Sequence, residues 1–218
     1  MRDTSSVHTA VRWVVVVPVK PAADGKTRLA GALSDAARAR LARAMALDTV
    51  LAAQAAAGVD RVVVVTADDE LRELLRASVD LVADPGGGLN AAVGAGIAHA
   101  RIAFPDTGVA VLLGDLPALR PDDLADALDR ATVHDRALVP DADGSGTTVL
   151  TALPGVAVDP RFGVGSAAAH EGSGHVRLAV PATSTVRRDV DVPEDLAAVE
   201  GLGVGPATRA VLDRVSEA

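Results

Sequence analysis

Short apolar runs bounded by polar turns recur along this chain, with longer mixed stretches between them. The runs at 13–19, 61–66, 79–83, 109–113, 137–140, 147–151 and 186–190 read as strands. Several of them, such as RVVVVT from Arg61 to Thr66, are apolar at almost every position. That is the signature of strands covered on both faces, as in a largely parallel sheet. The stretches at 34–57, 69–77, 90–102, 121–131 and 193–200 read as helices, with Ser34 placed as an N-cap and Pro121 and Pro193 as first-turn residues. Alternation of the two kinds predicts an α/β fold of βαβ units with right-handed crossovers. No repeat, low-complexity tract or linker interrupts it, and 218 residues suit one such domain. Residues 1–11 are expected to be a flexible leader, and 201–218 a terminal turn and helix.

In open sheets of this class, ligands gather beyond the carboxyl ends of the strands. The segments that follow the strands here are KPAADGKTRL, TADDE, DPGGGLN, GDLP, DADGSGT and RRDVDVPED, rich in charge and glycine. Lys20, Lys26 and Arg28 share one loop around Gly25 and are suited to a polyphosphate, because Arg forks onto phosphate oxygens and Lys adds a compact charge. The P-loop pattern is absent, and the alternative is a solvated basic loop. The glycines between Asp84 and Asn90 would let the backbone approach a flat base or sugar, with Asn90 and main-chain groups hydrogen-bonding it. A plain connector is the other reading.

Asp115 ends an apolar strand at the lip of a core, where an unpaired charge is costly to bury. Asp189 and Asp191 are two apart, so an extended segment would turn both carboxylates to one side, where they repel unless a cation lies between them. Together the three make a candidate oxygen-donor site for Mg²⁺. In DPRFGVGSAAAH, Ser166 is placed to start a helix and receive an anion. Thr147 and Thr148 offer hydroxyls at the same edge. His170 and His175 are expected at the surface, and no nucleophile–base pattern suggests covalent catalysis.

Composition narrows the partners. A net charge of −8, with two Phe, one Trp and no Tyr, argues against a general nucleic-acid binder. The absence of cysteine removes disulfides, thiolate metal sites and a Cys nucleophile. The strongest apolar run holds Pro18 and is too short to span a bilayer, and the amino terminus lacks a signal-peptide core. The expected location is the cytoplasm, with no membrane partner. The segment LGVGPATRAVL looks like a helix–hairpin–helix element that grips a nucleic-acid backbone through glycine amides. The competing expectation is a terminal helix packed on the domain, or on a partner subunit in a homo-oligomer.

With PVK and GKTRL early, GDLPAL in the middle, RFG and Ser166 later, and DVDVPEDL near the end, the chain resembles the guanylyltransferases that activate phosphoenolpyruvate or 2-phospho-L-lactate in deazaflavin coenzyme biosynthesis. The resemblance runs from about Val14 through the LGVGPAT segment. It implies a Rossmann-like nucleotidyltransferase fold with a mostly parallel sheet flanked by helices. It further implies Asp115, Asp189 and Asp191 as Mg²⁺ ligands, and Thr147, Gly163 and Ser166 as acceptor contacts. Lys20, Lys26 and Arg28 would meet the GTP triphosphate, with Lys26, Arg28 and Asp115 in catalytic roles. Asp84, Leu89 and Asn90 would meet guanosine. The glycine-rich loop of broader relatives is reduced here to PAADGKTRL. The implied reaction is attack by an acceptor phosphate oxygen on the α-phosphorus of GTP, with loss of pyrophosphate. A composition heavy in Ala, Val, Arg and Asp fits a GC-rich actinobacterial genome, for which the resemblance implies phosphoenolpyruvate as acceptor. A related enzyme acting on a sugar phosphate or molybdopterin is the alternative.

Overall fold

Valine decides the layering of the sheet. The computed structural model describes residues 11–20 and 34–216. Its strands are β1 (Trp13–Val19), β2 (Val59–Thr66), β3 (Asp80–Ala83), β4 (Gly108–Leu112), β5 (Arg136–Pro140), β6 (Thr147–Ala152) and β7 (Val176–Arg177). The helices are α1 (Asp35–Ala55), α2 (Asp69–Leu75), α3 (Leu89–Ala103), α4 (Pro121–Ala131), α5 (Ser166–Gly172), α6 (Pro193–Leu202) and α7 (Pro206–Ser216). Successive side chains of β1 go to opposite faces. Trp13, Val15 and Val17 pack with Ala46 and Val50 of α1 and with Leu124 and Leu128 of α4. Val14 and Val16 pack with Ala92 and Val93 of α3 and Ala167 of α5. Both faces are dry, which is why the strands carry no polar alternation.

The strand order is β3-β2-β1-β4-β6-β5-β7. β1 pairs in parallel with β2 on one side and β4 on the other, so the connections diverge at β1/β4, where an open sheet forms its crevice. β6 runs antiparallel to both β4 and β5. That reversal departs from uninterrupted βαβ alternation, and it brings the start of β6, with Thr147, to the same edge as the end of β4. β7, a two-residue strand parallel to β5, has no counterpart in the hydrophobic pattern.

The run at 186–190 is not a strand. A 3₁₀ turn, Thr185–Arg187, stands there instead, followed by irregular chain. Local partners replace a ladder: the Thr185 N–H and hydroxyl both donate to Asp123 (2.7 and 2.5 Å), and the Val190 N–H donates to the carbonyl of Asp115 (3.1 Å). Ser34 caps α1 as expected, accepting from the Ala37 N–H at 3.3 Å. The flexible leader expected over 1–11 lies outside the described residues except for Val11.

The terminal turn and helix is α7, lying along α1. Its first amides, from Ala207 and Thr208, donate to the carboxylate of Asp48 on α1 at 3.1 and 2.7 Å. These are the groups a nucleic-acid hairpin would offer to phosphate, and here an internal acid receives them. Among the described residues, no helix is long and apolar enough to cross a membrane.

Candidate active site

The lip of the β1/β4 crevice is built by Gly114 and Asp115. A Cβ at Gly114 would stand 3.0 Å from a Val19 methyl and 3.2 Å from the Pro18 carbonyl, so glycine lets the end of β4 lie against the end of β1. The next turn is tied to α1, where the Thr49 hydroxyl accepts from the Leu116 N–H (3.1 Å) and donates to the Met45 carbonyl (2.8 Å). On the other flank, the Leu113 N–H donates to the Thr148 carbonyl at 3.0 Å. Asp115 is thereby held half-buried, with Oδ1 shielded from solvent.

Val190 is fully buried against Leu41 and Met45 of α1. Its neighbours Asp189 and Asp191 are half-buried and exposed, as alternation along extended chain requires. The Asp195 carboxylate fixes this backbone by accepting from the N–H groups of Asp191 and Val192, both at 2.9 Å. Burial, then the charges of Asp115 and Asp191, push the Asp189 carboxyl up to about 7. The three acids expected from sequence therefore share one electrostatic neighbourhood.

A fourth acid, Asp141, also raises Asp189, and sequence reasoning missed it. Its carboxylate closes the β5–β6 loop by accepting from the N–H groups of Ser145 and Gly146 (3.0 and 2.7 Å). Arg187 braces the same loop, donating to the carbonyls of Pro140 and Asp141. The adjacent basic residues before Asp189 were the available signal for such a brace.

Among the described residues, no three His, Cys, Asp or Glu side chains already stand in a metal-holding geometry. Mg²⁺ seldom needs one, since it keeps several waters and takes one or two carboxylates together with substrate phosphates. An all-oxygen, mutually repelling donor set fits a cation whose shell the substrates complete.

Beside this group lies a cavity of about 380 Å³ lined by Pro18, Val19, Lys20, Asp84, the glycines 86–88 and Leu89. All three glycines have positive φ (77°, 84° and 92°), a run that side chains would strain, so bare backbone faces the cavity. Asp84 shapes the turn, its Oδ1 accepting from the Gly86 N–H at 2.8 Å. Lys20 is exposed at the rim. Lys26 and Arg28 lie outside the described residues. Asn90 stands in the first turn of α3, and its amide clamps the Phe162 backbone, accepting from N–H (2.8 Å) and donating to C=O (3.0 Å). That clamp joins the glycine loop to the RFGVGS loop.

At the RFGVGS loop, Ser166 opens α5 and its hydroxyl donates to that of Thr147 at 3.3 Å, both residues being buried. Gly163 has φ 134° and Gly165 has φ 71°. His170 and His175 are not surface residues; both are buried, the His170 ring of α5 packing edge-on against Phe162 and His175 against His170. Burial lowers both imidazoles, His170 to about 4. His170 contacts the Thr147 hydroxyl through Nδ1 (3.0 Å) and accepts the Arg161 N–H through Nε2 (2.8 Å).

A parallel sheet with an antiparallel intruder, a glycine-lined cavity and clustered acids at its switch point define an α/β protein of the nucleotidyltransferase type. Residues 13–215 match the family described as "Guanylyl transferase CofC like". The chain belongs to that family. A phosphoenolpyruvate guanylyltransferase of Sanguibacter keddieii is 50% identical over 240 residues, covering 93% of this chain and 84% of its own. One from Streptomyces coelicolor is 49% identical over 207 residues, covering 94% and 98%. In fold, the chain is similar to a nucleotidyl transferase from Methanothermobacter (TM-score 0.60, 19% identity, covering 88% of this chain and 98% of that one). It is equally similar to 4-diphosphocytidyl-2C-methyl-D-erythritol synthase (TM-score 0.60, 14% identity, with the same coverage).

Proposed function

We propose that this chain joins GTP to phosphoenolpyruvate, forming a guanosine diphosphate-linked enolpyruvate and releasing pyrophosphate. The observation that carries the reading is the gathering, at one sheet edge, of the Asp115/Asp189/Asp191 acids, the bare-backbone cavity and the buried Thr147–Ser166 pair. Identity near one half to relatives named for this activity supports the choice of substrates.

In this reading the guanosine lies in the cavity against the glycines 86–88, with Lys20 at its phosphate end. Lys26 and Arg28 follow it in the sequence and would neutralise the triphosphate. The acceptor is held at Thr147, Gly163 and Ser166. An ionised phosphate oxygen of phosphoenolpyruvate forms the new bond to the α-phosphorus, and the bond to the β-phosphate oxygen breaks. The nucleophile is already deprotonated, so no general base is needed. The barrier is repulsion and misalignment of two anions, which cationic side chains and fixed hydroxyls reduce. Asp115, Asp189 and Asp191 would hold Mg²⁺, which when bound supplies the charge that lets both phosphates approach.

Pyrophosphate release should be followed with GTP and a panel of phosphoenolpyruvate, 2-phospho-L-lactate, a hexose 1-phosphate and no acceptor. The reading requires phosphoenolpyruvate to give the highest kcat/KM. Preference for 2-phospho-L-lactate would correct the acceptor, and turnover with the sugar phosphate alone would remove the reading.

A further inference from the structure

We infer that His170 is a positioning residue for the acceptor, directing the Thr147–Ser166 hydroxyl pair so that one O–H is left to donate to the bound anion. This rests on the reading that the acceptor lies at Thr147, Gly163 and Ser166. The hydrogen bonds settle the tautomer. Nε2 accepts the Arg161 N–H at 2.8 Å, so the ring proton is on Nδ1, which donates to Thr147 Oγ1 at 3.0 Å. Thr147 Oγ1 and Ser166 Oγ carry two hydroxyl protons, and one of them spans their 3.3 Å contact. Neither can go back to His170, which already donates. One proton is left over, so the pair meets a ligand as a donor.

The same ring anchors the loop. Arg161 donates to His170 and Phe162 donates to Asn90, so two consecutive amides are fixed on different helices. The next three N–H groups, of Gly163, Val164 and Gly165, donate no hydrogen bond among the described residues and remain at the loop tip. Protonation would put Nε2–H against the Arg161 N–H, two donors facing each other. Burial and the nearby charges of His175 and Arg161 oppose it, and Asp159 only partly offsets them. A buried polar ring is costly unless both nitrogens are satisfied, and a leucine would fill the space without that demand.

Steady-state kinetics on the wild type, His170→Phe, His170→Asn and His170→Gln test this. Phenylalanine removes both polar contacts. Asparagine keeps a donor at the Nδ1 position, and glutamine keeps an acceptor near Nε2. Phenylalanine leaves the spare hydroxyl proton in place but removes the Nδ1–H that directs it, so the hydrogen bond to the charged ligand loses its alignment. His170→Phe should therefore raise the KM for phosphoenolpyruvate roughly tenfold, with the KM for GTP within about threefold. His170→Asn should stay near wild type and His170→Gln should resemble phenylalanine. If the phenylalanine variant does not fold, the asparagine–glutamine contrast decides. An active wild type with an unchanged acceptor KM in His170→Phe overturns the inference alone, as does an equal rise in both KM values or glutamine outperforming asparagine. A wild type inert with phosphoenolpyruvate overturns the proposed function and the inference with it.

Discussion

Half-buried Asp115 and fully buried His170 show opposite ways in which a polar side chain is tolerated against a core. Asp115 stands where an apolar strand ends, a position readable from VAVLLGD alone. Its replacement by asparagine keeps the size and removes the charge. Asp115→Asn should lower kcat/KM by about 10²–10³-fold, in the range of other electrostatic stabilisers, with an unchanged circular-dichroism spectrum. His170 was not legible. Nothing in GSAAAHEGSGH separates a ring on the buried face of a short helix from one facing solvent, and only the fold brings it to Thr147. Its protonation equilibrium nevertheless gives a clean prediction. The folded value of about 4 lies below the ordinary 6.5. Above pH 6.5 the stabilisation from the neutral ring is fully present. As pH falls from 6.5 towards 4, the unfolded chain takes up a proton that the folded chain refuses, and stability is lost. Between pH 7 and pH 5, urea denaturation should show the wild type losing on the order of 2 kcal/mol more than His170→Asn.

Among the elements, the six longer strands and most helices follow from apolar runs and caps. The failure at 186–190 has a physical cause: VRRDV has the composition of an edge strand, but its N–H groups are bonded one at a time, Arg188 to the Thr185 carbonyl and Val190 to the Asp115 carbonyl. The reversal of β6 was equally hidden, since an apolar run such as TTVLTA packs equally well in either direction. Asn90, at the start of α3, tests how the elements are joined. A base contact and a loop clamp predict different losses. As a clamp, Asn90→Ala should raise the KM for phosphoenolpyruvate about tenfold, for one or two lost hydrogen bonds, and leave the GTP dissociation constant within about threefold. Calorimetry and initial rates on one preparation measure both. A selective loss of GTP affinity would return Asn90 to the nucleotide.

For the whole molecule, the sheet order collects at one edge groups spread from Lys20 to Asp191. Sequence reasoning reached that edge through the rule for open sheets, and it missed Asp141 and the brace from Arg187, because both act on the β5–β6 loop only once that loop has folded back. The first amides of α7 are given to Asp48 and so are not offered to a ligand at this edge. Asp48→Ala should lower unfolding free energy by about 2–3 kcal/mol, the loss expected for charged hydrogen bonds to two amides, and leave kcat near wild type. Urea denaturation alongside the pyrophosphate assay checks both parts. A collapse of kcat without loss of stability would tie α7 to the chemistry.

The central claim is that an acceptor phosphate oxygen attacks the α-phosphorus of GTP at this edge. Phosphoenolpyruvate labelled with heavy oxygen at all its phosphoryl positions, incubated with GTP, Mg²⁺ and the purified chain, tests it by mass spectrometry of both products. The account predicts every label in the guanosine diphosphate-linked enolpyruvate, in the phosphate nearest the enolpyruvyl group and the bridge, and none in pyrophosphate. Label in the pyrophosphate, or no such conjugate, would contradict it.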